Sequence, residues 1–317
     1  MSRILSGAGA VRHPPVRSVV TVGVFDGVHL AHQRLLRAAV SLARRLKGTS
    51  VAVTFDPDPH AVLHPSHVHP SLMPLEARLA QLRALGIDLI WVLPFSRRFA
   101  RMTPVQFVDR ILLRRLRAHV LIVGEQFAFG RGRSGDMRLL RSLGASRGLR
   151  IISVPQVMRG GAAISSSRIR ALIARGHLAP ARGLLGRAPE LYGLVVRGMG
   201  RGRHLGFPTA NLRILSDVLP PRGVYAVRVF GLDARAGFVR LGDGIMNLGV
   251  RPTFGPGPQI CEVHLLNFSG ALLGRKVSVA LIRRLRGERC FASPNALARQ
   301  IGRDRSRARR LLAAGRV

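Results

Sequence analysis

Two imidazoles, His29 and His32, stand in VVTVGVFDGVHLAHQ, behind a β-branched run that breaks at Gly23 and Gly27. Imidazoles at such a turn can donate hydrogen bonds to phosphate oxygens, and a helix N-terminus adds free N–H groups and partial positive charge. The chemistry this suits is nucleotidyl transfer, where charge builds on phosphates and positioned donors suffice without a covalent nucleophile. Downstream, Arg168 and Arg170 can hold a departing pyrophosphate. The same two histidines also read as ordinary polar turn residues, one of them capping the helix.

A second string, GMGRGRHLGFPTAN, runs from Gly198 to Asn211. Gly198, Gly200, Gly202 and Gly206 let the backbone approach a ligand closely, and Arg201, Arg203 and His204 bring positive charge. Thr209 and Asn211 follow the rigid Pro208, so a hydroxyl and an amide oxygen can face one point as hard ligands for Mg²⁺. A β-hairpin turn is the plainer alternative. The third candidate is Glu262 in CEVHLLNF, an acid in a chain with only 15 acidic side chains. At a pocket it can act as general base toward a hydroxyl; elsewhere it is one half of an ion pair with an arginine. His60, His64, His67 and His69 crowd one segment, but no acidic or thiol partner is arranged with them, so a solvated, substrate-facing loop is expected rather than a metal site.

The elements that must position these residues come in two styles. Residues 19–22 read as a buried strand, and Leu35, Leu36, Ala39, Val40, Ala43 and Leu46 form one side of the helix that follows. Residues 50–55 make a second strand, closing a βαβ unit. Pro57, Pro59, Pro65 and Pro70 are expected to forbid regular structure in the next segment. A helix over 74–85, a strand over 88–93, a helix from Thr103-Pro104 to Leu116 and a strand over 120–123 continue the alternation. A glycine-rich loop over 124–135 holds Phe127 and Phe129, before a helix over 136–143 and a strand over 150–154. Such alternation predicts a doubly wound parallel sheet with ligands at the carboxyl ends of its strands. Ser165, Ser166 and Ser167 then open a short helix. Past Gly186 the pattern turns to strands at 191–196, 224–230, 260–268 and 276–282, the mark of a small antiparallel sandwich or barrel, and the tail from Ser293 returns to helix. The domains are thus expected at 1–186 and 187–317.

Of 51 basic residues only Lys47 and Lys276 are lysine, and the net charge is +36. Arginines are spread along the chain with few aromatics between them, which fits a coding bias and anionic small substrates better than a nucleic-acid interface, although a basic nucleic-acid binder remains an alternative. Cys261 and Cys290 form neither a metal spacing nor a disulfide framework. With no secretory h-region and no membrane-length apolar stretch, the chain is expected in the cytoplasm.

These strings resemble the bacterial bifunctional riboflavin kinase/FMN adenylyltransferase (FAD synthetase) family over nearly the whole chain. GVFDGVHLAH is similar to its GxFDGVHxGH, GEQFAFGRGRSGD to its flavin-side loop, and ISSSRIR to its ISSTxIR. GRGRHLGFPTANL, LPPRGVYAV, NLGVRPTFG and CEVHLLNF resemble its kinase strings. The resemblance implies an N-terminal nucleotidyltransferase-like α/β domain and a C-terminal antiparallel β-barrel with terminal helices. It implies riboflavin, FMN and ATP as substrates, Mg²⁺ as cofactor, and FMN and FAD as products. Gly23, Phe25, Asp26, Gly27, Ser166, Ser167 and Arg170 would hold ATP for adenylyl transfer, with His29 and His32 stabilising its phosphates. Gly200, Arg201, Gly202, Gly206, Pro208 and Thr209 would hold the kinase ATP, Thr209 and Asn211 the metal, and Glu262 would be the base. Flavin contacts would come from Gln126, Phe127, Phe129, Arg286 and Phe291. Departures are Ala31 for Gly, Asp58 for His, Gln126 for Asp or Asn, Ser167 for Thr, Asn267 for Asp and Leu273 for Tyr. The first three leave open a kinase whose adenylyl half is impaired. A homo-oligomer is compatible with all of this.

Overall fold

A β-branched strand buried on both faces needs cover above and below, and that requirement organises the first half of the chain. The computed structural model describes residues 2–67, 69–198, 206–233, 237–250 and 259–314. Two compact units emerge, residues 1–70 with 78–165 and residues 71–77 with 166–317.

In the first unit the elements are β1 (Arg3–Ser6), β2 (Ser18–Val22), α1 (Leu30–Arg45), β3 (Ser50–Asp56), α2 (Pro59–Leu63), α3 (Leu75–Ala84, which straddles the division) and β4 (Leu89–Pro94). They continue with α4 (Arg97–Ala100), α5 (Pro104–Gln106), a π-helical run Phe107–Arg115, β5 (Ala118–Gly124), α6 (Met137–Arg147), β6 (Arg150–Val154) and the short hairpin β7 (Met158–Arg159) and β8 (Ala162–Ala163). The main sheet has the order β1-β4-β3-β2-β5-β6, and all its pairings are parallel. All of β2 is buried. Its Val19 packs with Ala39 and Ala43 of α1, while Val20 and Val22 join Trp91, Phe107, Leu112 and Leu140 on the other side. Strand order reverses at β2, because β3 and β4 lie to one side and β5 and β6 to the other. The crevice outside the carboxyl ends of β2 and β5 is therefore the expected ligand position in this topology.

The doubly wound sheet follows the sequence pattern, with three differences. β1 pairs with β4 at the edge; its four largely exposed residues give no periodic signal. The proline-rich segment is partly regular: Asp58 Oδ1 accepts from His60 N at 2.7 Å and caps α2. A proline in the first helical turn removes only an N–H that has no intrahelical partner, so Pro59 starts this helix rather than forbidding it. The run after Thr103 starts with a capping box to Gln106 and then winds as a π-helix. Apolar spacing does not separate that pairing from an α-helix.

The second unit opens with α7 (Ser166–Ala174) and α8 (Leu178–Leu185). Six strands follow: β9 (Glu190–Val196), β10 (Ala210–Ile214), β11 (Gly223–Asp233), β12 (Gly237–Val250), β13 (Gln259–Leu265) and β14 (Lys276–Arg286). They close as an antiparallel barrel in the order β10-β13-β12-β11-β14-β9, which decides between sandwich and barrel. Leu191, Val195, Leu212, Tyr225, Met246, Cys261, Val263 and Val279 fill its interior. The tail forms one continuous helix, α9 (Pro294–Ala313), capped by Ser293 and laid on the barrel's outer face through Ala308 and Leu312 against Val224, Ile245 and Leu285.

The anchor of α9 is Asp304, only 4 % exposed, which accepts from Arg286 Nε at 2.9 Å and from Gln300 Nε2 at 2.9 Å. Removing one partner of a buried pair leaves an uncompensated charge, which costs about 3–5 kcal/mol. Asp304→Ala should therefore lower the denaturant midpoint of the second unit by that order. Glu76→Ala, whose partner Lys276 is exposed, should move it far less.

Candidate active sites

The turn between β2 and α1 is built from backbone that side chains rarely adopt. Phe25 (φ 56°) and Val28 (φ 39°) lie in the left-handed region together with Gly27 (φ 77°). Each such residue costs of order 1–3 kcal/mol, so the surroundings must hold the turn. They do so through two carbonyls. Val24 O accepts from Arg78 Nη1 at 2.6 Å and Thr54 Oγ1 at 3.0 Å, and Val28 O accepts from Gln33 Nε2 at 2.9 Å. The buried Phe25 ring lies on Gly23, where an added Cβ would meet it at 3.0 Å. Asp26 is 7 % exposed.

His29 caps α1, its Nδ1 accepting from His32 N at a long 3.4 Å. With Nδ1 accepting, the proton of a neutral His29 ring sits on Nε2. The two rings stack with centroids 3.6 Å apart, and Phe25 meets His32 edge-on at 5.4 Å. His32 Nδ1 is buried without a hydrogen-bond partner. Burial first, then the His29 ring and the Arg78 guanidinium, hold His32 well below the ordinary histidine value. The site thus carries a neutral imidazole at pH 7, and its positive potential comes from N–H dipoles and Arg78.

Arg78 is the residue that sequence reasoning missed here. It is 7 % exposed, and burial lowers its pKa while Asp26, Asp58 and Asp56 oppose that shift. Asp58, expected as a misplaced acid near phosphates, is a helix cap inside the field of Arg78. Ala31 lies in the first turn of α1, half-buried. In the loop after β5, Gln126 is exposed, Phe127 is half-buried and stacks on Phe129 at 5.4 Å, and Phe129 is core, packed on Phe107. Ser166, Ser167 and Arg170 occupy the first turns of α7, which groups with the second unit; Arg170 Nη1 donates to Ser167 Oγ at 3.2 Å.

The barrel assembles its site by strand register. Glu262 on β13 stands directly opposite Asn211 on β10 and opposite Asn247 on β12. Residues directly opposed across strands share a face. Glu262 alternates with Cys261 and Val263 of the interior, so the row faces outward. Among the described residues no ion pair or side-chain hydrogen bond engages Glu262, in a chain of net charge +36. The ion-pair alternative therefore finds no partner there. Its neighbour Cys261 is pushed up to about 12 by burial and by Glu262, leaving an inert thiol. Asn211 lies against Gly198, where a Cβ would come within 2.0 Å of its amide nitrogen. Asn247 sits in a quoted string, but only the register sets it beside Glu262, and Gly198, expected to let a ligand approach, is instead seen to make room for Asn211.

Thr209 and Pro208 lead into β10, and Gly206 adopts φ 79°. Gly200, Arg201 and Gly202 lie outside the described residues. A cavity of about 380 Å³ beside Pro208 is walled by His264, the 265–269 segment, Arg305 and Arg309. Arg286 is committed to Asp304 and lies 5.6 Å from the Phe291 ring, so both line the loop that ties β14 to α9.

Known proteins match both halves. A model of FAD synthetase fits residues 12–168, and one of riboflavin kinase fits residues 185–312. The chain is 38 % identical over 93 % of its length to a bifunctional riboflavin kinase/FMN adenylyltransferase of Escherichia coli K12, covering 93 % of that protein. It is 36 % identical to the protein of the same description from Pseudomonas fluorescens, again with 93 % of each covered. A solved structure described as a macrolide-efflux protein from Streptococcus pneumoniae superposes with a TM-score of 0.79 at 31 % identity, covering 94 % of this chain and 95 % of that one. Among the described residues no helix is long and apolar enough to cross a membrane.

The depressed His32 makes stability pH-dependent. Because the folded state resists protonating this ring, its contribution is complete above the ordinary value of 6.5 and is lost as pH falls below it. Urea midpoints of the native chain should drop between about pH 7 and pH 5. His32→Leu should flatten that slope; an unchanged slope would clear His32 of the effect.

Proposed function

The chain belongs to the family of bifunctional riboflavin kinase/FMN adenylyltransferases, and we propose how its residues divide the two reactions between the two units. It phosphorylates riboflavin to FMN, and it transfers AMP from ATP to FMN to give FAD and pyrophosphate. We set the functional division at residues 1–186 and 187–317, supported by family matches that end at 168 and begin at 185.

In the barrel, the ribityl 5′-hydroxyl attacks the γ-phosphorus of ATP. The new O–P bond forms as the bond to the β–γ bridging oxygen breaks, and ADP leaves. Glu262 takes the hydroxyl proton; the observation that carries this role is a carboxylate without an ion partner among the described residues, placed between two asparagines. Thr209 and Asn211 offer a hydroxyl and an amide oxygen, hard donors that suit Mg²⁺. The approach of Asn211 to a glycine that leaves room for it supports a carved donor position. Bound there, Mg²⁺ would neutralise charge on the transferring phosphates. The cavity beside Pro208 suits the kinase nucleotide, and Gly200, Arg201, Gly202 and Gly206 are assigned to it from the sequence motif. Arg286 and Phe291 shape the flavin side through the loop after β14.

In the α/β unit, a phosphate oxygen of FMN attacks the α-phosphorus of a second ATP and pyrophosphate departs. No proton need move, so the requirement is positioned donors. His29 Nε2–H, His32 and the α1 N-terminus supply them, with Gly23, Phe25, Asp26 and Gly27 shaping the cradle and Ser166, Ser167 and Arg170 assigned to the triphosphate. Gln126 and Phe127 meet the flavin, and Phe129 supports Phe127. Nothing favours an impaired adenylyl half: the turn is fully braced, and Asp58 serves as a cap. Two unpaired cysteines fit reactions run in the cytoplasm.

Riboflavin with ATP and Mg²⁺ should yield both FMN and FAD by chromatography. Glu262→Gln should cut FMN formation by about 10²–10⁴-fold while FAD formation from supplied FMN is kept; full kinase turnover would remove Glu262 as base. Gly198→Ala should displace the Asn211 amide and lower kinase turnover about 10²-fold, again sparing adenylyl transfer. Equal loss of both activities would instead indicate misfolding.

A further inference from the structure

His264 is a buried imidazole, 8 % exposed, on the strand that carries the kinase base. It lies two residues beyond Glu262 in an unbroken register with β12, so both side chains leave the same face of β13. Its Nδ1 is 2.8 Å from the carbonyl oxygen of Pro208. A carbonyl only accepts, so the ring proton resides on Nδ1 and is donated to Pro208. That carbonyl belongs to the peptide that joins Pro208 to Thr209, so the hydrogen bond fixes the plane from which Thr209 projects.

The ring itself is held. Phe207 meets it edge-on with centroids 5.7 Å apart, and the Arg305 guanidinium of α9 lies over the Phe207 ring, 5.5 Å from its centroid. His264 and Pro208 both wall the cavity of about 380 Å³, together with Arg305. One strand therefore grips the Pro208–Asn211 segment at two places: Glu262 faces Asn211 across the ladder, and His264 clasps Pro208. Thr209 lies between the two grips. Phosphoryl transfer is sensitive to this placement, because a shift of about 1 Å in a positioning group can cost roughly 10²-fold in rate.

We propose that His264 is a positioning residue for the phosphoryl transfer: by donating Nδ1–H to the Pro208 carbonyl it sets where Thr209 and Asn211 present their oxygens, and it exchanges no proton with the substrate. This rests on the assignment of the barrel as the riboflavin kinase. The bland alternative is a core histidine whose hydrogen bond serves packing alone.

Side-chain geometry separates the two. Asparagine places its amide nitrogen where histidine has Nδ1, so His264→Asn can keep the bond to Pro208. Glutamine reaches instead to the position of Nε2, and phenylalanine keeps the ring shape without a donor. The full chain is assayed with riboflavin, ATP and Mg²⁺ for FMN, and separately with FMN and ATP for FAD; thermal unfolding is followed in parallel. His264→Asn should hold the kinase kcat within about threefold, whereas His264→Gln and His264→Phe should lose about tenfold or more, with FAD formation from FMN unchanged in all three. Three equal losses, or losses that simply track the unfolding temperature, would reduce His264 to packing and overturn the proposal. Retention by Gln with loss in Asn would overturn it differently, by making Nε2 the working atom. Wild-type turnover in every variant would also end it. If the unsubstituted chain made no FMN at all, the kinase assignment itself would fall, a result distinct from any of these.

Discussion

The pairing of β13 with β10 on one side and β12 on the other is the constraint on which the second unit depends. It closes the barrel, and it sets Asn211, Glu262 and Asn247 in one outward row. Side chains alternate along a strand, so a slip of one residue would carry Glu262 into an interior of Cys261, Val263 and Met246 and bring Cys261 out. The apolar interior therefore enforces the chemistry: register is fixed by which residues must be dry, and the polar row follows from it. A charged group on that row needs no special tether, because every alternative register costs buried apolar surface.

The α/β unit solves the same problem at strand ends instead of along strands. Its polar groups cannot be placed by register, since they lie beyond β2, so the turn is held by carbonyl anchors. Arg78 is central because a buried guanidinium must find acceptors, and Val24 O is the one it reaches at 2.6 Å. That cation also suppresses protonation of His32, while Asp26, Asp56 and Asp58 keep the guanidinium itself charged. The result is a site whose charge is permanent on arginine and absent on the imidazole. A phosphate bound there, as proposed, would meet dipoles and a fixed cation beside a His32 ring that resists protonation.

Much of this was legible in the sequence, and the failures have physical causes. Parallel strands announce themselves as apolar runs, so β2 to β6 were readable and the doubly wound class followed. β10 and β12 were not. ANLRI is short and polar, and GFVRLGDGIMNLGV carries four glycines, which read as loop unless the partners of a closed barrel are known. His29, His32, Thr209, Asn211 and Glu262 were singled out as candidates by residue type and neighbouring motif. Arg78, Asn247 and His264 were not, because each acts through a contact distant in sequence: Arg78 on Val24, Asn247 beside Glu262, His264 on Pro208. A single chain shows which residues can do chemistry more readily than which residues hold them.

The distribution of the few acids sharpens that distinction. With 15 acids against 51 basic residues, almost any carboxylate can find a cation. Asp304 and Asp109 do, in ion pairs with Arg286 and Arg147 that tie separate elements. Asp58 and Asp136 cap helices, and Asp88 accepts from both the amide and the hydroxyl of Ser50 to lock β3 beside β4. Each of these has a structural partner that accounts for it. Glu262 has none among the described residues, and it is flanked on both sides by neutral amides. An arginine in place of Asn211 or Asn247 would have neutralised it as an ion pair, as happens at the helix anchor. Two asparagines instead offer it neutral amides and no counter-charge, which is the setting the proposed base role calls for.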